Sequence, residues 1–326
     1  MIISRTPLRI TLGGGGTDLP SYYENYGGFV LSAAINKYVF IATNQTFTDT
    51  YFLKYSELEL VDDVEKISHP IIREALRLHP IGPAIELVSV ADIPAGTGLG
   101  SSGSFTVGLL RAIYAWKREH ITTEALAEEA CRIEMDLMNR PVGKQDQYIA
   151  AFGGLSCLDI QPNGEVEVTP LAVSTETLHD LEEHLCMFFT HYSRDADGVL
   201  SEQKEKSEKG DRAMIESLHF VKENGLASKA ALERGDTSTF AALMDEHWQR
   251  KRARSSSMSN ERIDLCYQLA MDSGALGGKL VGAGSGGFLL FYAKDIDSLR
   301  SAMASQGMSE VRFVFDFDGS ILLVRS

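Results

Sequence analysis

The chain has 326 residues, and its 31 Lys+Arg against 45 Asp+Glu give a formal net charge of −14. At about 150 residues per domain, this length predicts roughly two domains, and 44% hydrophobic with 23% charged residues is ordinary for a globular protein. The acidic balance excludes a general nucleic-acid or anionic-membrane binder, which needs a basic face, but it leaves room for a small anionic ligand.

The first half of the chain mixes β-rich runs with glycine loops. Runs rich in Ile, Val, Phe and Thr predict strands over Ile2–Leu12, Phe29–Gln45 and Ala84–Ile93. Helical spacing of apolar residues predicts helices over Ser102–Lys117 and about Thr123–Asn139, the second with Thr122 or Thr123 as N-cap. The turn Pro162-Asn163-Gly164 between Gly154–Ile160 and Glu165–Thr169 predicts a hairpin.

The second half is more helical. Its predicted elements are a strand at Leu185–Tyr192, a charge-rich helical region over Ala196–Ala253, a helix near Asn260–Ser273, a glycine-rich then β-like segment at Lys279–Ala293, and two closing strands, Val311–Phe317 and Ser320–Val324. The change in composition places a boundary near residues 170–185. We therefore expect an α+β protein with domains at 1–175 and 176–326.

No stretch approaches 18 apolar residues, and the N-terminal residues lack the apolar core of a signal peptide. The four cysteines, Cys131, Cys157, Cys186 and Cys266, have neither metal-site nor disulfide-framework spacing. We therefore expect a reduced, cytoplasmic protein with no structural metal. A homodimer is compatible with this sequence, which leaves the oligomeric state open.

Three glycine clusters begin at Gly13, Gly96 and Gly282. The middle cluster follows Pro94, which ends a predicted strand, and leads into a predicted helix at about Ser102. Such a loop directs free N–H groups and the positive end of the helix dipole at one point, which suits a phosphate. A plain tight turn with serine N-caps is about equally compatible with an isolated glycine pattern of this kind.

Two well-known nucleotide motifs can be tested against these clusters. The sequence around Gly278-Lys279 lacks the Ser or Thr and the earlier Gly of a Walker A loop. The pattern Gly282-x-Gly284-x-x-Gly287 matches a dinucleotide fingerprint, but the next residues predict a strand where that fold needs a helix. We interpret this match as a turn between two strands.

Three acidic residues are candidates for a role in chemistry: Asp18, which follows the first glycine cluster, Glu134 and Asp146. Glu134 lies on the second predicted helix, and Asp146 follows Pro141 in a polar loop. From spacing alone, an Asp in such a loop is more often a solvated turn residue than a catalytic one.

Taken together in this order, three motifs resemble those of the GHMP kinases. They are Pro7-x-Arg9-x₃-Gly13 through Asp18, Pro94-x-Gly96-x-Gly98-Leu99-Gly100-Ser101-Ser102-x-Ser104, and Lys279-Leu280-Val281-Gly282-Ala283-Gly284-Ser285-Gly286-Gly287. The resemblance spans nearly the whole chain. It implies a two-domain fold, with an N-terminal ribosomal-protein-S5-like α/β domain and a C-terminal ferredoxin-like α+β domain.

Within that family, GGGGTDLPSYY from Gly13 onward is similar to the bacterial kinases that act on D-glycero-D-manno-heptose 7-phosphate. Galactokinases have Glu-His where this chain has Gly15 and Gly16, which argues against galactose. The resemblance implies transfer of the ATP γ-phosphoryl group to the anomeric hydroxyl of this sugar phosphate. Fucose or galactose as acceptor, and a non-catalytic regulator that binds sugar and ATP, are the alternatives.

The resemblance also implies residue roles. ATP would contact Pro94, Gly96, Gly98, Leu99, Gly100, Ser101, Ser102 and Ser104. Ser102 and Glu134 would hold Mg²⁺, with Ser101 as an alternative to the first; Asp146 would accept the proton of the sugar hydroxyl or orient that hydroxyl, and Arg9 would lie beside Asp146. Sugar contacts would come from Gly15, Gly16, Thr17, Asp18, Gly284 and Arg194. For the phosphate of the sugar, the candidates are Arg140, Lys144, Arg194, Lys251 and Arg252.

Overall fold

The computed structural model describes residues 1–192, 196–253, 258–282, 284 and 286–325, without the side chains of 196 and 197. The strands in these residues are β1 Ile2–Gly13, β2 Gly28–Gln45, β3 Tyr51–Lys54, β4 Leu58–Val61, β5 Ile85–Ala91, β6 Leu155–Ile160, β7 Val166–Pro170, β8 Leu185–Phe189, β9 Ala275–Leu280, β10 Phe288–Ala293, β11 Ser309–Glu310 and β12 Ile321–Arg325. The α-helices are α1 Pro20–Tyr26, α2 Pro70–Leu78, α3 Ser101–Lys117, α4 Thr123–Cys131, α5 Gln145–Phe152, α6 Thr175–His184, α7 Ala196–Glu208, α8 Arg212–Glu233, α9 Thr237–Ala253, α10 Glu261–Asp272 and α11 Ile296–Ser305.

The strands form two sheets. The first has the order β12-β1-β2-β5-β3-β4, with β6 pairing β2 and β7 pairing β6. The second has the order β11-β8-β10-β9 and is antiparallel throughout. This mixture of sheets and helices confirms the predicted α+β class.

The two long strands β1 and β2 form the centre of the first sheet. They pair antiparallel, with Arg9 opposite Ala34 and Ile10 opposite Ala33. Leu8, Ile10 and Leu12 of β1 are buried, as expected for an apolar strand between layers. Helix α3 packs on these strands, and the Ser4 hydroxyl donates to the Gly108 carbonyl at 2.8 Å.

Helix α8 joins the second half of the chain to the first sheet. A Cβ on Gly13 of β1 would lie 2.8 Å from the Gly225 Cα of α8, so these two backbones meet without side chains between them. The N-terminal sheet and the helices of the second half therefore pack as neighbours beside the first glycine cluster.

Most predicted elements are confirmed, including α3, the β6–β7 hairpin and the strand–turn–strand at β9–β10. The helix predicted over Thr123–Asn139 has two parts: α4 begins after the Thr122 cap, and residues Arg132–Leu137 continue as a π-helical stretch. The prediction that Asp146 lies in a loop is wrong, because it is the second residue of α5.

The strand predicted over Val311–Phe317 is also wrong. This segment leaves the second sheet after β11, and only Phe315 forms an isolated bridge, to Ile35 of the first sheet. It crosses between two sheets, so no single neighbour pairs along its length. The domain limits at 175 and 176 stay a prediction; the last strand, β12, pairs with β1.

Among the described residues, a search for a helix with the length and apolarity of a membrane span finds none.

The packing of α9 on β9 depends on Gly277. A Cβ there would lie 1.8 Å from the Ala241 carbonyl oxygen of α9, so we expect Gly277→Ala to lower the free energy of unfolding by about 1–3 kcal/mol. Gly198→Ala is the matched control, because nothing lies within 4 Å of its added Cβ and alanine favours the helix. Urea denaturation of both variants checks this, and equal stabilities would contradict it.

Candidate active site

A cleft of about 800 Å³ lies where the glycine loop (residues 94–100), β1, α5, α9 and β9 meet. The side chains that line it include an aromatic group and a basic group. An aromatic group consists of Tyr55, His69 and Phe105, in which the His69 ring stacks on Phe105 with centroids 4.9 Å apart. A basic group consists of Lys251 and Lys279.

Arg9 and Asp146 form an ion pair in this cleft. The Arg9 Nε and Nη2 atoms both donate to Asp146 Oδ1, at 2.8 and 2.6 Å, and Nη1 donates to the Gly98 carbonyl at 2.6 Å. The Arg9 side chain is 6% exposed and the Asp146 side chain 25%. Within the described part of the chain, Asp146 Oδ2 accepts no hydrogen bond, so this oxygen is available to a ligand.

The glycine loop turns through three glycines with a left-handed backbone. Gly96, Gly98 and Gly100 all have φ between 76° and 83°, a region that favours glycine. Gly100 is the N-cap of α3 and provides no side-chain cap for the first N–H groups of the helix. These N–H groups and the helix dipole therefore present a partial positive charge at Ser101 and Ser102, an arrangement that suits an anion.

Asp146 packs closely against the first turn of α3. A Cβ on Gly100 would lie 3.3 Å from the Asp146 Cγ, and one on Gly103 would lie 2.6 Å from the Asp146 Cβ. The absence of side chains at these two positions is what lets α5 bring its carboxylate next to the start of α3.

Glu134 lies on the other side of the α3 N-terminus, fully buried. It accepts hydrogen bonds from Ser102 Oγ, from Thr106 Oγ1 at 3.1 Å, from Gln147 Nε2 at 2.9 Å and from Arg140 Nη1 at 2.9 Å. Burial raises the pKa of this carboxyl, and the Ser102 hydrogen bond and the Arg140 charge oppose that rise. The structure thus brings together the two residues predicted as metal ligands.

Asp18 is the largest departure from the predicted arrangement. Its side chain is fully buried and does not line the cleft. Oδ2 accepts the Gln145 backbone N–H at 3.1 Å, and Oδ1 accepts the Gly16 N–H at 2.9 Å and the Gln145 side chain at 3.3 Å. Burial raises the pKa of Asp18, and the hydrogen bond from the Gln145 N–H opposes this. Asp18 therefore anchors the first residue of α5, next to Asp146.

Three other predicted contact residues have their side chains outside the cleft. The Thr17 hydroxyl donates to the carbonyls of Gly14 and Phe29, and the Ser104 hydroxyl donates to the Pro7 carbonyl at 2.7 Å. Leu99 is buried, and its carbonyl accepts the Arg9 N–H at 3.0 Å. All three hold the loops in place.

Of the remaining residues predicted to contact the sugar, some line the cleft and others do not. Gly15 and Gly16 line the cleft, and the Gly16 carbonyl accepts a hydrogen bond from Gln203 of α7 at 2.9 Å. Gly284 does not line it, and a Cβ there would lie 2.9 Å from the Met258 Sδ. Arg194 lies outside the described residues.

Of the cations predicted for the sugar's phosphate, only two of those described line the cleft. Lys144 is buried away from it on Glu128 and the Gly164 carbonyl, and Arg252 pairs with Asp264. Arg140 lines the cleft but contacts Glu134, while Lys251 lines it and donates to the Gly282 carbonyl.

The described residues of the third motif pack directly on the glycine loop. A Cβ on Gly282 would lie 2.6 Å from the Gly98 Cα, and one on Gly287 would lie 2.2 Å from the Thr97 carbonyl oxygen. The turn between β9 and β10 therefore lies beside the glycine loop.

Sequence reasoning missed Lys279 as an individual site residue. It lines the cleft, is buried, and its Nζ donates to the Leu12 carbonyl at 2.9 Å. Burial, followed by the charges of Lys251 and Arg9, lowers the pKa of Lys279 to about 7. The sequence feature that could have identified Lys279 is that it is a single charge in an otherwise uncharged strand, shortly before a glycine turn. The aromatic group around His69 was missed too, because no spacing connects it to the loop.

Two family models match this chain. Residues 42–154 match the GHMP kinases N terminal domain, and residues 228–308 match the GHMP kinases C terminal domain. D-glycero-alpha-D-manno-heptose 7-phosphate kinase of Campylobacter jejuni is 31% identical over 94% of each chain.

Solved structures show the same fold. A D-glycero-D-manno-heptose 1-phosphate kinase from Bacteroides thetaiotaomicron superposes with a TM-score of 0.81 at 24% identity, covering 99% of each chain. A sugar kinase structure from Campylobacter jejuni gives a TM-score of 0.77 at 28% identity, covering 98% of this chain and 97% of that one.

Lys279 is expected to make stability depend on pH. In the unfolded chain this lysine keeps its proton up to its ordinary pKa of 10.5, whereas the folded protein releases it at about pH 7. Between these values the unfolded state binds more protons, so this group makes stability rise with pH. The free energy of unfolding of the wild type, minus that of Lys279→Met, should therefore increase from pH 7 to pH 10 in urea titrations; a constant difference would contradict this.

Proposed function

Because the chain belongs to the GHMP kinases, a family of ATP-dependent kinases, we propose that it phosphorylates the anomeric hydroxyl of D-glycero-D-manno-heptose 7-phosphate and forms the 1,7-bisphosphate. The observation that carries the chemistry is the Arg9–Asp146 pair against the first turn of α3. The similarity to the Campylobacter jejuni heptose 7-phosphate kinase supports the choice of acceptor.

The phosphates of ATP would bind at the glycine loop and the start of α3. Gly100 caps the helix without a side chain, so the N–H groups that follow are donors to phosphate oxygens. Phosphoryl transfer depends largely on such positioning and on charge neutralisation. The loop supplies both without a lysine of its own.

Asp146 would act on the acceptor hydroxyl. Arg9 uses only Oδ1, and the second carboxylate oxygen would accept the hydrogen bond of the hydroxyl and then its proton. The hydroxyl oxygen bonds to the γ-phosphorus as the bond between that phosphorus and the ADP oxygen breaks. The positive charge of Arg9 stabilises charge that develops on the phosphoryl group. An anomeric hydroxyl is more acidic than an ordinary alcohol, which reduces the demand on the base.

Ser102 and Glu134 would hold the Mg²⁺ ion. The donor set fits this ion, because a hydroxyl and a carboxylate oxygen lie in direct contact at the cleft wall and Mg²⁺ prefers hard oxygen ligands together with substrate phosphates. When bound, the ion neutralises phosphate charge. Arg140 contacts both side chains. Its guanidinium is the positive charge that the protein's own residues place beside the Mg²⁺ position.

Asp146→Asn tests the assigned base. It keeps the shape of the side chain but removes the proton acceptor, so we expect kcat to fall by about 10²–10⁴-fold while ATP binding stays unchanged or becomes tighter. Asp297→Asn is the matched control, because Asp297 is also the second residue of a helix, α11, and does not line the cleft. A coupled ADP-release assay and calorimetric titration with ATP measure the two effects. Near-normal turnover in Asp146→Asn would contradict the proposed mechanism.

A panel of acceptors tests the substrate. Heptose 7-phosphate should give the largest kcat/KM, and the dephosphorylated heptose, fucose and galactose should each give a value lower by about tenfold or more, since they leave a phosphate-binding group without its partner. Equal or better turnover of fucose or galactose would replace the proposed acceptor. Binding of sugar and ATP without ADP release would indicate a regulator instead.

A further inference from the structure

Within the described residues, Lys279 is a buried lysine that has no acidic partner. Its ammonium donates one hydrogen bond, to the Leu12 carbonyl at 2.9 Å, and the charged groups that act on it most strongly are two further cations, Lys251 and Arg9. In the described part of the chain, no carboxylate forms an ion pair with it. Burial disfavours an uncompensated charge, so this arrangement favours loss of the Lys279 proton until an anion arrives.

The other cations of the cleft differ in the groups that they contact. Arg9 is neutralised by Asp146, and Arg140 by Glu134. Lys251 donates to the Gly282 carbonyl and, like Lys279, lines the cleft. The charge of Lys251 acts on Lys279, so these two lysines lie near each other in the cleft.

The basic group borders the segment of β1 that leads into Gly15 and Gly16. Leu12, which binds the Lys279 ammonium, precedes these glycines, and both glycines line the cleft. The aromatic group around His69 comes from other elements, around α2 and α3. The flat aromatic surface suits a nucleobase, which leaves the basic group for the acceptor.

We propose that Lys279 and Lys251 form a phosphate subsite, which binds the phosphate monoester that the acceptor already carries. This inference rests on the proposed function for the identity of the acceptor. An ammonium has three donors, so Lys279 can keep its bond to Leu12 and still donate to a phosphate. An arriving dianion stabilises the charged form of both lysines and offsets the cost of burying the Lys279 charge.

Kinetics of Lys279→Met and Lys251→Met test the subsite. Each is expected to raise KM for heptose 7-phosphate by about tenfold to hundredfold, the range for losing a hydrogen bond to a charged group, with little change for the dephosphorylated heptose. Lys222→Met is the matched control, since Lys222 also donates to main-chain carbonyls, of Tyr26 and Gly27, but lies outside the cleft. Circular dichroism checks the fold, and Lys251, which is less buried, keeps the test valid if Lys279→Met misfolds.

The same kinetic measurements show whether the phosphate at the subsite belongs to the acceptor or to ATP. A rise in KM for ATP, with equal effects on phosphorylated and dephosphorylated acceptors, would assign the subsite to the γ-phosphate and overturn the acceptor assignment. Unchanged constants in both lysine variants, or an equal change in Lys222→Met, would overturn the subsite itself.

Binding of inorganic phosphate tests the subsite independently of turnover. In calorimetric titrations, the wild type should bind phosphate more tightly than Lys279→Met by about tenfold or more, and Lys222→Met should bind it like the wild type. Equal or absent binding in the wild type and Lys279→Met would overturn the inference. If the wild type binds phosphate in this lysine-dependent way but does not phosphorylate heptose 7-phosphate, the proposed acceptor fails and the subsite stands.

Discussion

The Arg9–Asp146 ion pair is the contact on which the arrangement of the site depends. It joins the middle of the first strand to the first turn of a helix 137 residues later, and a third hydrogen bond from Arg9 fixes the Gly98 carbonyl of the glycine loop. One side chain thus holds the carboxylate and the predicted phosphate-binding loop together. Because Arg9 is buried in a central strand, its position is set by the sheet, and the other two elements are placed relative to it.

This pair forms only because several backbones approach one another without side chains. Gly100 and Gly103 give Asp146 its place beside α3, and Gly282 gives the third motif its place on Gly98. Asp18 also supports this arrangement, because it accepts a hydrogen bond from the N–H of Gln145, the residue that precedes Asp146. The glycine clusters therefore act as packing surfaces as much as flexible loops, which explains why three segments far apart in sequence meet at one cleft.

The net charge of −14 and the chemistry of the cleft have opposite signs. ATP and a sugar phosphate are both strongly anionic, so the charge of the whole chain does not attract them. The cleft instead concentrates backbone N–H groups, a helix N-terminus and the cations Arg9, Lys251 and Lys279. Burial strengthens these interactions, because charges in a partly dry cleft are screened less than charges at the surface.

Sequence by itself determined the α+β class and most of the strands and helices, because these follow from local periodicity. The roles of Asp146, Arg9, Glu134 and Ser102 were implied by the resemblance to the GHMP kinases, and they stay predictions. Only the tertiary structure decided the rest. Whether Asp18, Thr17 and Ser104 face the cleft depends on which long-range partner takes their oxygens, and all three are bound to backbone groups instead. Lys279 acquires its lowered pKa from burial and from Lys251 and Arg9, neighbours that no local pattern specifies. A sequence fixes which groups a segment carries, but the desolvation and the charges that act on them exist only when distant segments pack together.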